Sequence, residues 1–286
     1  MKRILVATDF SQQASRALRR AIALAAQHQA RLDVMHVITP SSVDALCEML
    51  PDSRILLEEN LSNSATAQLY QVLDEVAPKQ HLSIQPHVRI SSIVDGIIEF
   101  ADANDVDLIV LGSHGEHFAH ELYLGTTAEN VLTKCPRSVL VVRAAPDAPY
   151  GKVGVPVDFT PLSIAAVHQA CELAADARIT LLHAFQVPHH DRLRAMGVSE
   201  GEIKNARARF HDHASSAMDR LVAGISNERI SSVLEMGYPP EMIRRWVEKF
   251  DFDLIVMGSH GNRLSSVMRY ALHHSTGDVM IFRQLA

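Results

Sequence analysis

DLIVLGSHG, residues 107–115, returns as DLIVMGSHG, residues 253–261. The two stretches start 146 residues apart, at Asp107 and Asp253. Two further landmarks repeat around them. KRILVATDFS (2–11) matches GKVGVPVDFT (151–160), and RLDVMHVI (31–38) matches RITLLHAF (178–185). Three landmarks in one order at nearly one spacing mark a duplicated domain, because a solenoid unit would recur at 20–50 residues. The join, AAPDAP (144–149), is a short Pro/Ala linker of the kind found at domain boundaries. The expected domains are therefore 1–144 and 150–286.

The bulk composition agrees with two globular domains. A chain of 286 residues suggests about two units of roughly 150 residues each. Hydrophobic residues make up 47% and charged residues 21%, enough apolar material for a good core. The net charge of -6, with no long basic run, weighs against nucleic acid as a partner, since neutralising phosphates needs clustered Lys and Arg. No apolar run reaches the ~20 residues that span a bilayer, so no membrane is expected. The N-terminal apolar run, Ile4 to Ala7, is too short for a secretory signal, and the expected location is cytoplasmic. Cys47, Cys135 and Cys171 are odd in number and widely spaced, which suits reduced, mostly buried thiols.

Within each copy, short apolar runs alternate with helical patterns. Residues 3–8 form an apolar run, and Ala14, Ala17, Leu18, Ala21, Ile22, Leu24 and Ala25 follow at three- and four-residue steps, a helical period with Ser11 as its N-cap. The pattern predicts strands at 32–38, 82–90, 107–111 and 138–143. It predicts helices at 54–76, 93–104 and 126–134, with a loop containing Pro40 and Pro51. The second copy reads likewise, with its long helix near 200–223. Such alternation gives an α/β fold with a parallel open sheet and helices on both faces. Strands that are apolar throughout fit burial on both sides. Ligands of such sheets bind at the C-terminal strand ends, where Asp9, Val37 and Gly112 share one rim.

Gly112-Ser113-His114-Gly115 is followed by nine residues and then Gly125-Thr126-Thr127. Glycine lets backbone approach a ligand closely, and a helix N-terminus offers unpaired N–H groups and positive potential. Together with the two threonine hydroxyls these features suit phosphate oxygens. A purely structural reading stands beside it: the glycines end a strand, and Thr126-Thr127-Ala128-Glu129 forms a capping box with Thr126 as N-cap. His114 faces either a phosphate or solvent. Neither a Walker lysine signature nor Gly-x-Gly-x-x-Gly is present, so a P-loop NTPase and a dinucleotide-binding dehydrogenase are both poorly supported.

Over both copies the chain resembles a tandem member of the universal stress protein family. The resemblance rests on Asp9 at the first strand tip, His36-Val37 ending the second, the long Gly112, Gly115, Gly125-Thr126 spacing, and the tail NVLTKCPRSVLVVR (130–143). It implies two Rossmann-like domains of the adenine nucleotide alpha hydrolase type, packed as an intrachain pseudo-dimer through residues 138–143 and 278–283. It also implies ATP binding in the first domain, where Mg2+ usually accompanies ATP. On that model Asp9 and the Val37 backbone meet the adenosine end. Gly112 and Gly115 pass the ribose and phosphates, with His114 a further nucleotide-binding candidate beside them, and Gly125, Thr126 and Thr127 hold phosphate. A homodimer of the two-domain chain and a protein partner of unknown kind complete the expectation.

The second copy departs from this pattern. Aligned back from its last strand, Ser265-Ser266-Val267 falls opposite Gly125-Thr126-Thr127, and three residues (262–264) replace nine (116–124). This half is expected to bind ATP weakly or not at all. His36 and His183 are read as satisfying local polar groups, and the paired histidines at 189–190, 211/213 and 273–274 as solvated. No placed base is evident, although His114 and Glu116 lie near the loop. Three functions follow: an ATP-responsive binding or regulatory module in stress response, a nucleotide-independent interaction protein, or a slow ATPase.

Overall fold

A computed structural model describes residues 1–50, 53–76, 82–115, 124–144, 148–186, 196, 198–225, 228–259 and 263–284. The chain divides into two compact units: Met1–Pro149 with His260–Leu264 and Asp278–Ala286, and Tyr150–Ser259 with Ser265–Gly277.

The first unit contains β1 (Arg3–Ala7), β2 (Arg31–Ile38), β3 (Ile84–Ile90), β4 (Leu108–Gly112) and β5 (Ser138–Val142). They pair in parallel in the order β3-β2-β1-β4-β5. The chain reverses direction across the sheet after β1 leads to β2 and β3, so β1 and β4 flank the switch point where open α/β sheets hold ligands. The last strand of the sequence, β10 (Asp278–Phe282), also belongs to this unit and runs antiparallel to β5. Strand interiors are apolar and sealed: Ile4, Leu5, Val6, Ile109, Val110 and Val139–Val142 have no exposed surface. Burial on both faces is the physical reason that these strands lack polar alternation.

Helices α1 (Gln12–His28), α3 (Arg54–Val76), α4 (Ile93–Ala103) and α5 (Thr126–Lys134) stand within one or two residues of the expected spans. Ser11 caps α1, its hydroxyl accepting from the Ala14 N–H. The predicted loop at Pro40 is instead a helix, α2 (Pro40–Cys47), with Thr39 as N-cap. Proline is tolerated at the first helical position, where its missing N–H has no intrahelical partner. Val43 of α2 is fully buried beside Ile38 and Ala65, which anchors the short helix. The expectation of mostly buried thiols is met only by Cys135; Cys47 and Cys171 are partly exposed.

The second unit contains β6 (Lys152–Pro156), β7 (Arg178–Phe185), β8 (Ile230–Met236) and β9 (Leu254–Gly258), paired in parallel in the order β9-β6-β7-β8. Its helices are α6 (Pro161–Leu173), α7 (Glu200–Gly224), α8 (Pro239–Phe250) and α9 (Ser266–His274). No helix among the described residues is long and apolar enough to cross a membrane.

Candidate functional site

The chain leaves β1 through a tight turn. Phe10 sits at φ 65°, and the Asp9 carboxylate accepts from the Ser11 N–H at 3.0 Å. The Phe10 ring packs against His36, with centroids 4.5 Å apart, while His36 Nδ1 lies 2.9 Å from the Thr8 carbonyl. The second unit repeats this turn. There Phe159 has φ 63°, its ring lies 4.4 Å from His183, and His183 Nδ1 is 2.7 Å from the Val157 carbonyl. The two histidines therefore satisfy local carbonyls.

β2 extends past the end of β1. The Met35 carbonyl accepts from the Thr8 N–H at 2.8 Å, and the Ile38 carbonyl accepts from Ser91 on the β3 side at 3.0 Å. Backbone groups alternate along a strand, so those of Val37 face the space vacated by β1. Val37 and Gly112 lie within the last two positions of their strands, not beyond them.

A cavity of about 480 Å³ opens at this rim. Its lining brings together Asp9 after β1, Val37 of β2, and Gly112, His114 and Gly115 at the end of β4. Gly125, Thr126 and Thr127 complete the group at the start of α5. All eight sequence-derived positions thus meet in one hollow. Ser42 of α2 and Ile93 of α4 also line it. Neither was anticipated, although each stands in the first turn of a helix that follows a strand ending at this rim. Glu116 lies outside the described residues.

The glycines serve different ends. A Cβ on Gly112 would meet the Gln13 carbonyl carbon at 3.0 Å and the Ala14 nitrogen at 3.2 Å, so this glycine admits the α1 backbone to the sheet. Gly258 does the same for α6, where a Cβ would meet the Leu162 oxygen at 2.8 Å. This shared packing demand accounts for the glycine that ends the twice-written strand. A Cβ on Gly125 would meet the His114 Cα at 3.0 Å, and the Gly125 N–H donates to the Ser113 carbonyl at 2.7 Å. Among the described residues, a Cβ on Gly115 would meet the Asp9 carboxylate first, at 2.6 Å from Oδ2.

The helix starts separate the two halves. Gly125, not Thr126, is the N-cap of α5, and no side chain caps it. The expected capping box is therefore absent: Thr126 stands one position inside the helix. In α9 the N-cap is Ser265, whose hydroxyl accepts from the Met268 N–H at 3.2 Å. The first half presents its N-terminal amides to a hollow, whereas the second closes one of them with its own serine. Asp158 is also occupied. Burial disfavours its charge, but the Thr160 hydroxyl and N–H, at 2.6 and 3.1 Å, hold its carboxyl below the usual range. His260 and Gly261 lie outside the described residues.

Ser113 Oγ lies 3.0 Å from His114 Nδ1, which fixes the ring at the cavity wall. Among the described lining residues only Asp9 and His114 can carry charge, and none is Lys or Arg. No cluster of metal-ligating side chains occurs among the described residues.

A family model described as "Universal stress protein family" matches residues 1–143 and again 149–283. "Universal stress protein A homolog 1" of Coxiella burnetii is 33% identical over 141 residues, 49% of this chain and 95% of that protein. A universal stress protein of Mycolicibacterium smegmatis is 24% identical over 303 residues, 98% of this chain and 96% of its own length. Among solved structures, a universal stress protein from Archaeoglobus fulgidus superposes with a TM-score of 0.64 at 16% identity, covering 98% of both chains. That likeness concerns the fold.

Proposed function

As the chain belongs to the universal stress protein family, we propose that its first half binds ATP in the cavity at the β1, β2 and β4 ends. On this reading the chain acts as a nucleotide-responsive binding or regulatory module in stress response, in the cytoplasm and as a homodimer of the two-domain chain. The second half keeps the fold without the site.

The uncapped start of α5 carries the reading. Its free amides, the Thr126 and Thr127 hydroxyls and the positive helix end favour an anion, and they line a hollow of about 480 Å³, within the ordinary range for small-molecule sites. The Val37 backbone offers one donor and one acceptor to the edge of a base. Asp9 is the one carboxylate among the described lining residues. Asp9 is expected at the adenosine end, so Mg2+ accompanying ATP would be held by the substrate phosphates and water rather than by this carboxylate. The metal would supply positive charge that no lysine or arginine of the lining provides. No described residue of the lining is arranged as a base for hydrolysis, and turnover is expected to be slow.

A nucleotide-independent role has one observation in its favour: backbone packing alone requires Gly112 and Gly125 to lack a side chain. An equilibrium titration of the full chain with ATP and with AMP, with and without Mg2+, separates the readings. One site per chain supports the proposal. Two equal sites, or none at millimolar ATP, rejects it.

A further inference from the structure

The β5–β10 pair has a two-fold register. Leu140 faces Met280, Val139 faces Ile281, and Val141 faces Val279. Position for position, SVLVVR (138–143) is equivalent to DVMIFR (278–283). By backbone geometry alone, a second copy of β5 would fit the β5 edge as well as β10 does. Exposed apolar edges of this kind are open to unwanted pairing.

In charge, the side chains break the symmetry at one place. Asp278 is fully buried, and its carboxylate accepts from the Arg143 and Ala144 N–H groups at 2.8 and 3.2 Å. Its other oxygen lies 3.3 Å from Nε of Arg20 on α1, which is itself only 5% exposed. The equivalent residue in β5 is Ser138. Its hydroxyl serves the Arg283 backbone in the mirrored way, accepting from the N–H at 3.0 Å, but it carries no charge. The equivalent of Arg20 on α6 is Gln169. One acid and one base therefore stand on opposite members of a pseudo-symmetric pair.

We propose that Arg20 and Asp278 form a pairing code, through which the β5 edge accepts the last strand of its own chain and rejects the β5 edge of a second chain. Two β5 strands together would keep the backbone ladder and the serine hydrogen bonds. Each would leave a buried Arg20 without a carboxylate, and a buried charge stripped of its partner is strongly unfavourable. Discrimination by leaving a charge unpaired in the wrong complex is a general route to specificity.

A cross-linking experiment on the full chain reads the code. Leu140→Cys places a thiol at the two-fold centre, and refolding under mild oxidant records which strand lies opposite. With the natural residues at 138 and 278, the introduced thiols form no bridge between chains above the level of a Leu140 control, which accounts for the native cysteines. Adding Ser138→Asp and Asp278→Ser moves the acid onto β5. Two β5 edges then satisfy two Arg20 side chains, and an inter-chain bridge becomes the main product on a denaturing gel. Adding Arg20→Gln removes that advantage and returns the bridge towards background. Equal bridging in all backgrounds, whether high or nil, overturns the proposal. If the acid-moved chain does not refold, as judged by circular dichroism, Arg20→Gln with Asp278→Ser removes both members of the Arg20–Asp278 pair together. Bridging in that background rises with protein concentration, and none at any concentration overturns the code.

Discussion

The Asp9 carboxylate lies over Gly115: a Cβ built on that glycine would meet Asp9 Oδ2 at 2.6 Å and, among the described residues beyond its chain neighbours, no backbone atom within 4 Å. The end of a flexible, exposed side chain can move aside, but the carboxylate then leaves the position it holds at the cavity rim.

Gly115→Ala is expected to lower ATP affinity roughly tenfold, the factor given by 1.4 kcal/mol, with little change in melting temperature. Gly112→Ala and Gly258→Ala push a Cβ onto helix backbone and are expected to cost about 1–3 kcal/mol of stability, as overpacking does. Gly258→Ala leaves ATP binding unchanged wherever the protein remains folded. Thermal melts beside titrations check all three.

The two helix starts give opposite responses. Ser265→Ala removes a working N-cap and is expected to cost about 1 kcal/mol of stability without touching ATP affinity. The double change Thr126→Ala with Thr127→Ala removes no cap, because no side chain caps α5. Its expected effect is weaker ATP binding by roughly 1–3 kcal/mol at nearly constant stability. Calorimetric titration and denaturant unfolding separate the two.

Asp33 ties acid stability to the first unit. Burial alone would raise its carboxyl pKa. His87 at 2.8 Å, Arg3 at 2.6 Å and Arg31 at 3.4 Å outweigh that and hold it at about 2, below an ordinary 3.8. A depressed folded-state value means that the contribution, about 2 kcal/mol, is fully present above pH 4–5 and is lost as the pH falls towards 2. Asp33→Asn should flatten the acid limb of a stability-versus-pH curve and lower stability at pH 7. An unchanged acid limb would refute this assignment.

Arg283 links the last strand to the site helix. Its guanidinium donates to the carbonyls of Leu132 and Cys135 at the end of α5, where a cation also meets the negative end of the helix. Arg283→Met is expected to cost about 2–4 kcal/mol by leaving buried carbonyls unpaired. It should also weaken ATP binding, since the same helix presents its other end to the cavity. Retained affinity in a destabilised but folded variant would separate the two ends of α5.

Much of the first half could be read along the chain. The spans of α3 and α5 follow from periodicity and punctuation, and the eight site positions follow from strand-end placement, the glycine and threonine spacing, and the resemblance to the universal stress protein family. Helix α2 was hidden because Pro40 reads as a loop until Val43 is seen to be buried. Ser42 and Ile93 were missed because nothing local marks a first-turn residue as facing a cavity. The packing demand on Gly112 was hidden for the same reason: its neighbour is the backbone of Gln13 and Ala14, nearly 100 residues earlier.

The sequence by itself determined the duplication, the parallel α/β layering and the inequality of the two loops, because these depend on repeat spacing, hydrophobic period and residue count. Only the tertiary structure decided which helix start is capped and which is open, and that Asp278 of the last strand lies against Arg20 of the first helix. Such relations depend on atoms brought together from distant points of the chain. Their energies come from burial and hydrogen-bond geometry, which leave no local pattern in the order of residues.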